Sequence, residues 1–541
     1  MSDIPQEPRK PNDIDPEDQL QPLCHITIRQ WDNWERVQQA TTGYPDVKVV
    51  GKRLKPMLEG IEFTVVIERQ YIDKDYRDSH SAYFSKRFHT PSNRCLRLHF
   101  FRGALGDSWI GDPDLEYLGY SVVSPIKPGG MGRTLISADL ACCPEGSHQH
   151  AKTCDEDVHL MGREFPVRGF PYTCQDEEVA RCAQAALWML VRYFSNKYRS
   201  YREIGPHQLA NLVSDLHLGR LFPTDGLTIW QSAEILRRLG FHPVVHHRSA
   251  FVVKNGDSYN PAEIVSKLGF NTPEEAFAHL FYTYIESGIP LLVATQTHAR
   301  VAFGHYSDYQ STPGPQHADN NGFFHSSVFN KGFLVHDAAK YLYHPLGLGS
   351  GDTPSFDKVT AFIAPMPEKT FLPPDTHQRL VRQLLLSDGK YGMGQACPKL
   401  AEAVQANKIV LRNFLTTGTR YKASLLNRKG LPDRFAGACR LYSLPHFVWI
   451  TEIFELENYP ERCIGQVVWD ATAAPEDLAG LLFLHYPGQF FMNLAPHANR
   501  PLGPRLDDIT FSALQSSASG FCSFDPFYEN LNHRHHNPRH V

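Results

Sequence analysis

The sequence predicts an α+β chain with one long helix near its centre and strand-bearing segments on either side. Three observations carry this expectation. Apolar residues at Ala183, Leu187, Leu190, Val191 and Phe194 recur at the spacing of one helical face. Two short apolar runs, 289–294 and 332–338, follow with polar, Gly-containing stretches around them, as strands do. Runs rich in β-branched and aromatic residues at 61–72, 96–101 and 117–123 precede the helix.

At 541 residues the chain is too long for one ordinary core. It divides by composition into a disordered tail at 1–22, a β-rich recognition or regulatory domain at 23–165, a central domain at 166–366, an α/β domain at 367–500 and an irregular His-containing tail at 501–541. The hydrophobic share of 42% and charged share of 21% are those of a globular protein. With 54 basic against 58 acidic residues and a net charge of -4, nothing global attracts nucleic acid or an anionic membrane. The first 21 residues are rich in Pro and Asp without an apolar segment, and no stretch is long and apolar enough to span a bilayer, so a cytoplasmic protein is expected. Eleven cysteines, from Cys24 to Cys522, lack the regular spacing of a disulfide framework and read mostly as free, buried thiols.

Taken in order, the elements are these. Cys142, Cys143, His148, His150, Cys154 and His159 form a cluster of zinc-type ligands, but adjacent cysteines and irregular spacing fit a tetrahedral site poorly, and a linker is the favoured reading. Residues 200–216 have helical character. A turn at Asp225 to Thr228 opens a helix over 229–239, closed by Gly240. A strand is expected over 241–247 and a helix over 273–286, ended by Gly288. The polar stretch 310–331 reads as a lid or an insertion. Helices are expected over 380–386 and 399–414, and strands over 447–456 and 464–473. Asp470 and Thr472 at the end of the last read as core and turn. His533, His535, His536 and His540 read as a solvated tail.

Chemistry concentrates at 170–194. Cys182 falls in the first turn of the central helix, where unpaired N–H groups and the positive end of the macrodipole favour the nucleophilic thiolate. Gln175, on the loop entering that helix, can offer an amide N–H to an oxyanion formed at a carbonyl attacked by Cys182. Cys174 is the rival nucleophile, but it precedes the loop and lies off the helix terminus. Gln184 is the rival oxyanion donor, turned away if Cys182 faces a cleft.

A Pro-bearing strand, a Gln, a short loop and a Cys opening a helix, in this order, resemble the papain-like cysteine peptidases, most closely the bacterial branch that includes the bacteriocin-leader peptidase domains. Where that family usually has Gly after the Cys, this chain has Ala183. The resemblance covers about 166–366 and implies a papain-like fold there, a Cys-bearing helix packed on an antiparallel sheet that bears the His and the Asp. It implies that His298, opening the run 298–306, is the base, and that Asp337, ending the strand 332–338, orients it. Independently of the family, a base that lifts a thiol proton must be held in one tautomer, which a carboxylate accepting from Nδ1–H provides. The activity implied is hydrolysis of a peptide or isopeptide bond in a protein or peptide substrate, with no metal or organic cofactor. Deamidation, transglutamination and acyl transfer use the same thioester and are the first alternative. A non-catalytic scaffold is the second, and a zinc-dependent binding module at 142–159 a third. The flanking regions are candidates for docking a regulatory partner or restraining the site.

Overall fold

The helix Cys182–Lys197 is buried all round rather than on one face. Every residue from Ala183 to Phe194 is buried, including Gln184 and Arg192. The central sheet covers one side, where Phe170 stacks between Tyr193 and Phe303 with ring centroids 5.1 and 4.3 Å apart. The N-terminal segment covers another: Trp188 Nε1 (3.3 Å) and Arg192 (2.6 Å) both donate to Asp75 Oδ1. Arg192 is therefore carried into the core as an ion pair, which the apolar spacing alone did not anticipate. A helix covered on every side is a core element, and each fully buried Leu or Met, such as Leu187, Met189 and Leu190, contributes roughly 2 kcal/mol.

This computed structural model describes residues 23–106, 108–141, 144–216, 221–255, 258–349, 351, 354–474, 480–493, 506–510 and 521–527. The tail at 1–22, Cys142, Cys143 and the four C-terminal histidines lie outside them.

The architecture is α+β with three main sheets, antiparallel except at one pairing. The N-terminal sheet runs in chain order through Leu23–Ile28, Phe63–Tyr71, Cys95–Arg102, Tyr117–Val123 and Met131–Ile136. Its three expected strands are present. The sequence reading passed over the helices Val47–Leu58 and Lys74–Ala82 that accompany it.

The central sheet has the order Tyr341–Gly347, Asn330–Asp337, Ala299–Ser307, Leu291–Ala294, Ala361–Pro367 and Phe241–His247. Leu291–Ala294 pairs with the first half of Ala299–Ser307, and His148–Ala151 pairs with the second half on the same edge, from Gly304 to Ser307. The helix Pro273–Glu286 contacts the same sheet. The helix over 229–239 is Ile229–Arg238, with Thr228 Oγ1 accepting from Gln231 N and Gly240 leaving it at φ +88°. Residues 200–216 hold only the short helix Pro206–Asn211 and a 3-10 turn at Ser214–Leu216.

The third sheet joins Ile409–Thr417, Phe447–Glu455, Cys463–Asp470, Leu481–Tyr486, Gln489–Asn493 and Leu506–Thr510. Two expectations change here. The helix read over 399–414 is Pro398–Gln405 only; Asn407 takes a left-handed φ of 52°, and the rest is strand. That strand is buried from Ile409 to Thr416, and a run apolar on both faces carries no period that separates strand from helix. The region after 501 is not wholly irregular, since Leu506–Thr510 pairs with Gln489–Asn493 and Phe524 bridges to Cys463.

The polar stretch 310–331 is largely exposed over 310–317 and becomes a packed connector from Asp319 onwards. Phe323–His325 lies parallel to Ile409 to Leu411 in the third sheet, and Asp319 accepts from Asn321 and Phe323 N–H at 2.9 and 3.0 Å. One apolar core continues from Ile26 through Leu187 and Phe281 to Trp449 and Phe521. Among the described residues no helix is long and apolar enough to cross a membrane.

Candidate functional site

The loop that delivers Cys182 is built on Asp176. Its Oδ1 accepts from the N–H groups of Glu178 (2.9 Å), Val179 (2.7 Å) and Ala180 (2.8 Å), and its own N–H donates to the Ala180 carbonyl at 2.9 Å. This side-chain-organised turn is an alternative to regular backbone pairing that Asp favours. It leaves Arg181 extended at the helix N-cap, with no side-chain cap. An arginine offers no acceptor, so the first-turn N–H groups stay available to whatever lies at Cys182.

His298 is set by a turn at the mouth of its strand. Thr295 N–H donates to the His298 carbonyl at 2.9 Å, and His298 N–H donates to Thr295 Oγ1 at 3.2 Å. The ring bonds Asp337 Oδ1 through Nε2 at 2.9 Å, which leaves Nδ1 for the Cys182 thiol, the other group that holds up the charge of the ring. The expectation that the carboxylate takes Nδ1–H is therefore corrected.

Asp337 is fully buried, and its carboxylate is shared. Oδ1 also accepts from Ala339 N–H at 2.9 Å, and Oδ2 accepts from Arg300 Nε at 2.8 Å. Burial alone raises a carboxyl pKa, but His298, Arg300 and the Ala339 N–H outweigh it and hold Asp337 at about 2. For His298 burial opposes the charged ring, yet the bonds to Asp337 and Cys182 carry it up to about 9. Burial likewise opposes a Cys182 thiolate; the bond from His298 and the Ala299 and Ala183 N–H groups prevail, and its pKa falls below the ordinary thiol value. All three shifts favour a thiolate beside an imidazolium. His298 keeps 21% of its side chain exposed, so the pair is reachable from solvent.

The rivals are placed elsewhere. Cys174 is buried, which pushes its thiol up to about 11. Gln184 spends both ends of its amide, its oxygen accepting from Arg181 N–H (3.2 Å) and its nitrogen donating to Thr224 Oγ1 (2.7 Å). Gln175 stands half-buried on the Asp176 loop, its N–H donating to the Ala338 carbonyl at 3.3 Å beside the Asp337 turn.

Sequence reasoning missed Arg300 and Asp176. The period of two places Arg300 on the same side as His298, and an Asp directly after Gln175 is a turn signal. The zinc-type residues that are described do not converge. The His150 ring lies tilted against His305 at 4.6 Å and bonds Tyr309, His148 lies against Tyr309, and Cys154 and His159 belong to the hairpin Cys154–Leu160 with Arg163–Gly169. Among the described residues no three His, Cys, Asp or Glu side chains are grouped to hold a metal ion. Asp470 accepts from Thr472 N–H and Oγ1, both at 2.7 Å, and makes a turn.

No protein-family model, no curated protein and no solved structure matches this chain.

Proposed function

We propose that the protein is a cysteine peptidase of papain-like fold that hydrolyses a peptide or isopeptide bond through Cys182, His298 and Asp337. One observation carries the reading: an imidazole bonded at 2.9 Å to a buried carboxylate, next to a thiol in the first turn of a helix whose pKa it lowers. The fold reading is supported by a Cys-bearing helix packed on antiparallel strands that carry the His and the Asp.

In this mechanism His298 Nδ1 holds the Cys182 proton, and the thiolate attacks the scissile carbonyl carbon. The carbonyl electron pair moves to oxygen, where the Cys182 N–H and the Gln175 amide receive it. The tetrahedral species collapses, the C–N bond breaks, and the leaving amine takes the proton from His298. Water, deprotonated by His298, attacks the thioester; the C–S bond breaks and the acid departs. Asp337 holds the ring in one tautomer throughout, and Arg300 holds Asp337.

The test is incubation of the full chain with a complex peptide library, read by mass spectrometry, alongside Cys182→Ala and a peptidyl epoxide. New termini that vanish in Cys182→Ala, with the epoxide attached to Cys182, are expected. Cleavage persisting in Cys182→Ala, or no cleavage with Cys182 inert to the epoxide, would contradict the reading.

A further inference from the structure

The turn that carries Asp337 is anchored from outside the central sheet. Within the turn, Lys340 N–H donates to the Asp337 carbonyl at 3.1 Å and Ala339 N–H to Asp337 Oδ1 at 2.9 Å. The Asp337 carbonyl takes a second donor from outside the turn, and the carbonyls of Ala338 and Ala339 take theirs from there as well. Tyr172 hydroxyl donates to the first at 3.2 Å. Arg53 Nη1 reaches the second at 3.1 Å and Nη2 the third at 2.8 Å, and Arg53 also donates to the Tyr172 hydroxyl. The guanidinium lies 5.7 Å from the centre of the Tyr172 ring. Arg53 belongs to the helix Val47–Leu58, which accompanies the N-terminal sheet and is far upstream of Cys182.

We propose that Arg53 is a positioning residue for the His298–Asp337 pair, a clamp through which the N-terminal segment fixes the orientation of the imidazole. The inference rests on the reading that Cys182, His298 and Asp337 form the reactive set. Its physical basis is the planar fork of arginine, which spans two successive carbonyls as a single ammonium point charge cannot. Asp337 hangs from this turn, so a shift of the turn moves the carboxylate relative to Nε2. Displacements of an ångström or less at such positions are enough to lower reactivity severely. The same segment meets the Gln175 loop: Gly129 has φ +84°, and a methyl group on it would collide with the Gln175 carbonyl and the Asp176 backbone.

The test uses the full chain and iodoacetamide, with the alkylation rate of Cys182 mapped by mass spectrometry between pH 5 and 9. The chains compared are wild type, Arg53→Ala, Arg53→Lys, Tyr172→Phe and Lys52→Ala, the last an exposed neighbour on the same helix. A purely structural role lowers stability but leaves the pH dependence of the folded protein unchanged. The clamp predicts that Arg53→Ala moves the acid limb of Cys182 reactivity up by about one pH unit, a roughly tenfold loss of rate at pH 6. Tyr172→Phe shifts it less in the same direction, Arg53→Lys falls between, and Lys52→Ala matches wild type. Should Arg53→Ala fold poorly, Tyr172→Phe and Arg53→Lys decide. Limbs coinciding with wild type in both variants, over an activated wild-type thiol, would overturn the clamp alone. A wild-type thiol that titrates in the ordinary range would overturn the functional reading and the clamp with it.

Discussion

His298 and His305 stand near the two ends of one strand, and each bonds a carboxylate through Nε2 at 2.9 Å, yet their pKa values move in opposite directions. His298 is partly exposed, and besides its carboxylate the Cys182 thiol raises its pKa. His305 is fully buried, its Nδ1 meets the Ser307 hydroxyl at 3.0 Å, and burial lowers its pKa with Lys152 and Arg412 adding to the effect. Its carboxylate, Glu286, is already committed to Arg412 at 2.6 Å, which in turn bonds Glu452 at 2.7 Å. A histidine beside an acid is thus not a reactive site by itself. Solvent access and the group on the other nitrogen decide whether a proton can move.

The sharpest way to break this comparison is to remove each ring in turn. His298→Ala is expected to lower Cys182 alkylation and peptide cleavage by about 10³-fold or more, whereas His305→Asn leaves the reactivity of the folded protein within about twofold. Equal losses in the two variants, measured on folded protein, would erase the distinction.

Next in size is the buried network itself. Arg412→Ala leaves Glu286 buried without its arginine and Glu452 with Arg428 alone, and should cost roughly 3–5 kcal/mol in urea unfolding. Arg300→Gln, at a rim position 13% exposed, should cost only about 1 kcal/mol while raising the acid limb of Cys182 reactivity. A larger stability loss at Arg300 than at Arg412 would invert the assignment of rim and core.

The pH dependence follows from the signs. His298 is raised from 6.5 to about 9 in the folded chain, so its stabilising contribution is complete below pH 6.5 and is lost as pH rises through about 9. Asp337 is depressed from 3.8 to about 2, so its contribution is present above pH 4 and disappears as pH falls through about 2. Urea midpoints of wild type minus His298→Gln should therefore differ at pH 6 and converge above pH 9. A difference that grows with pH across this range would contradict the ion pair.

The smallest effect is expected at Ser307→Ala, which removes the Nδ1 partner of His305 for about 1 kcal/mol of stability. Alkylation of Cys182 should not change.

How far the sequence foretold this arrangement varies with the physical origin of each part. The helix at Cys182, the strands at Tyr117–Val123 and Phe241–His247 and the helix Pro273–Glu286 were legible because periodicity, caps and breakers agree there. Cys182, His298, Asp337 and Gln175 were named from chain order and resemblance; His298 bonds Asp337 and lowers the pKa of Cys182, and Gln175 stands on the adjoining loop. The ring nitrogen used by Asp337 was not legible, because it depends on which side of the imidazole the helix approaches. Arg53, Arg300 and Asp176 were missed for a related reason: their partners are backbone groups or a carboxylate brought near only by folding. The strand Ile409–Thr417 was misread as helix because a strand buried on both faces has no alternation to show.

The most direct measurement is the alkylation rate of every cysteine in the native chain from pH 5 to 9, resolved by mass spectrometry. The thiolate–imidazolium pair predicts that Cys182 alone reaches half-maximal rate below the ordinary thiol value of 9, while Cys174 lags behind it throughout. Cys182 reacting no faster than the buried cysteines, or rising only near pH 9, would contradict the account.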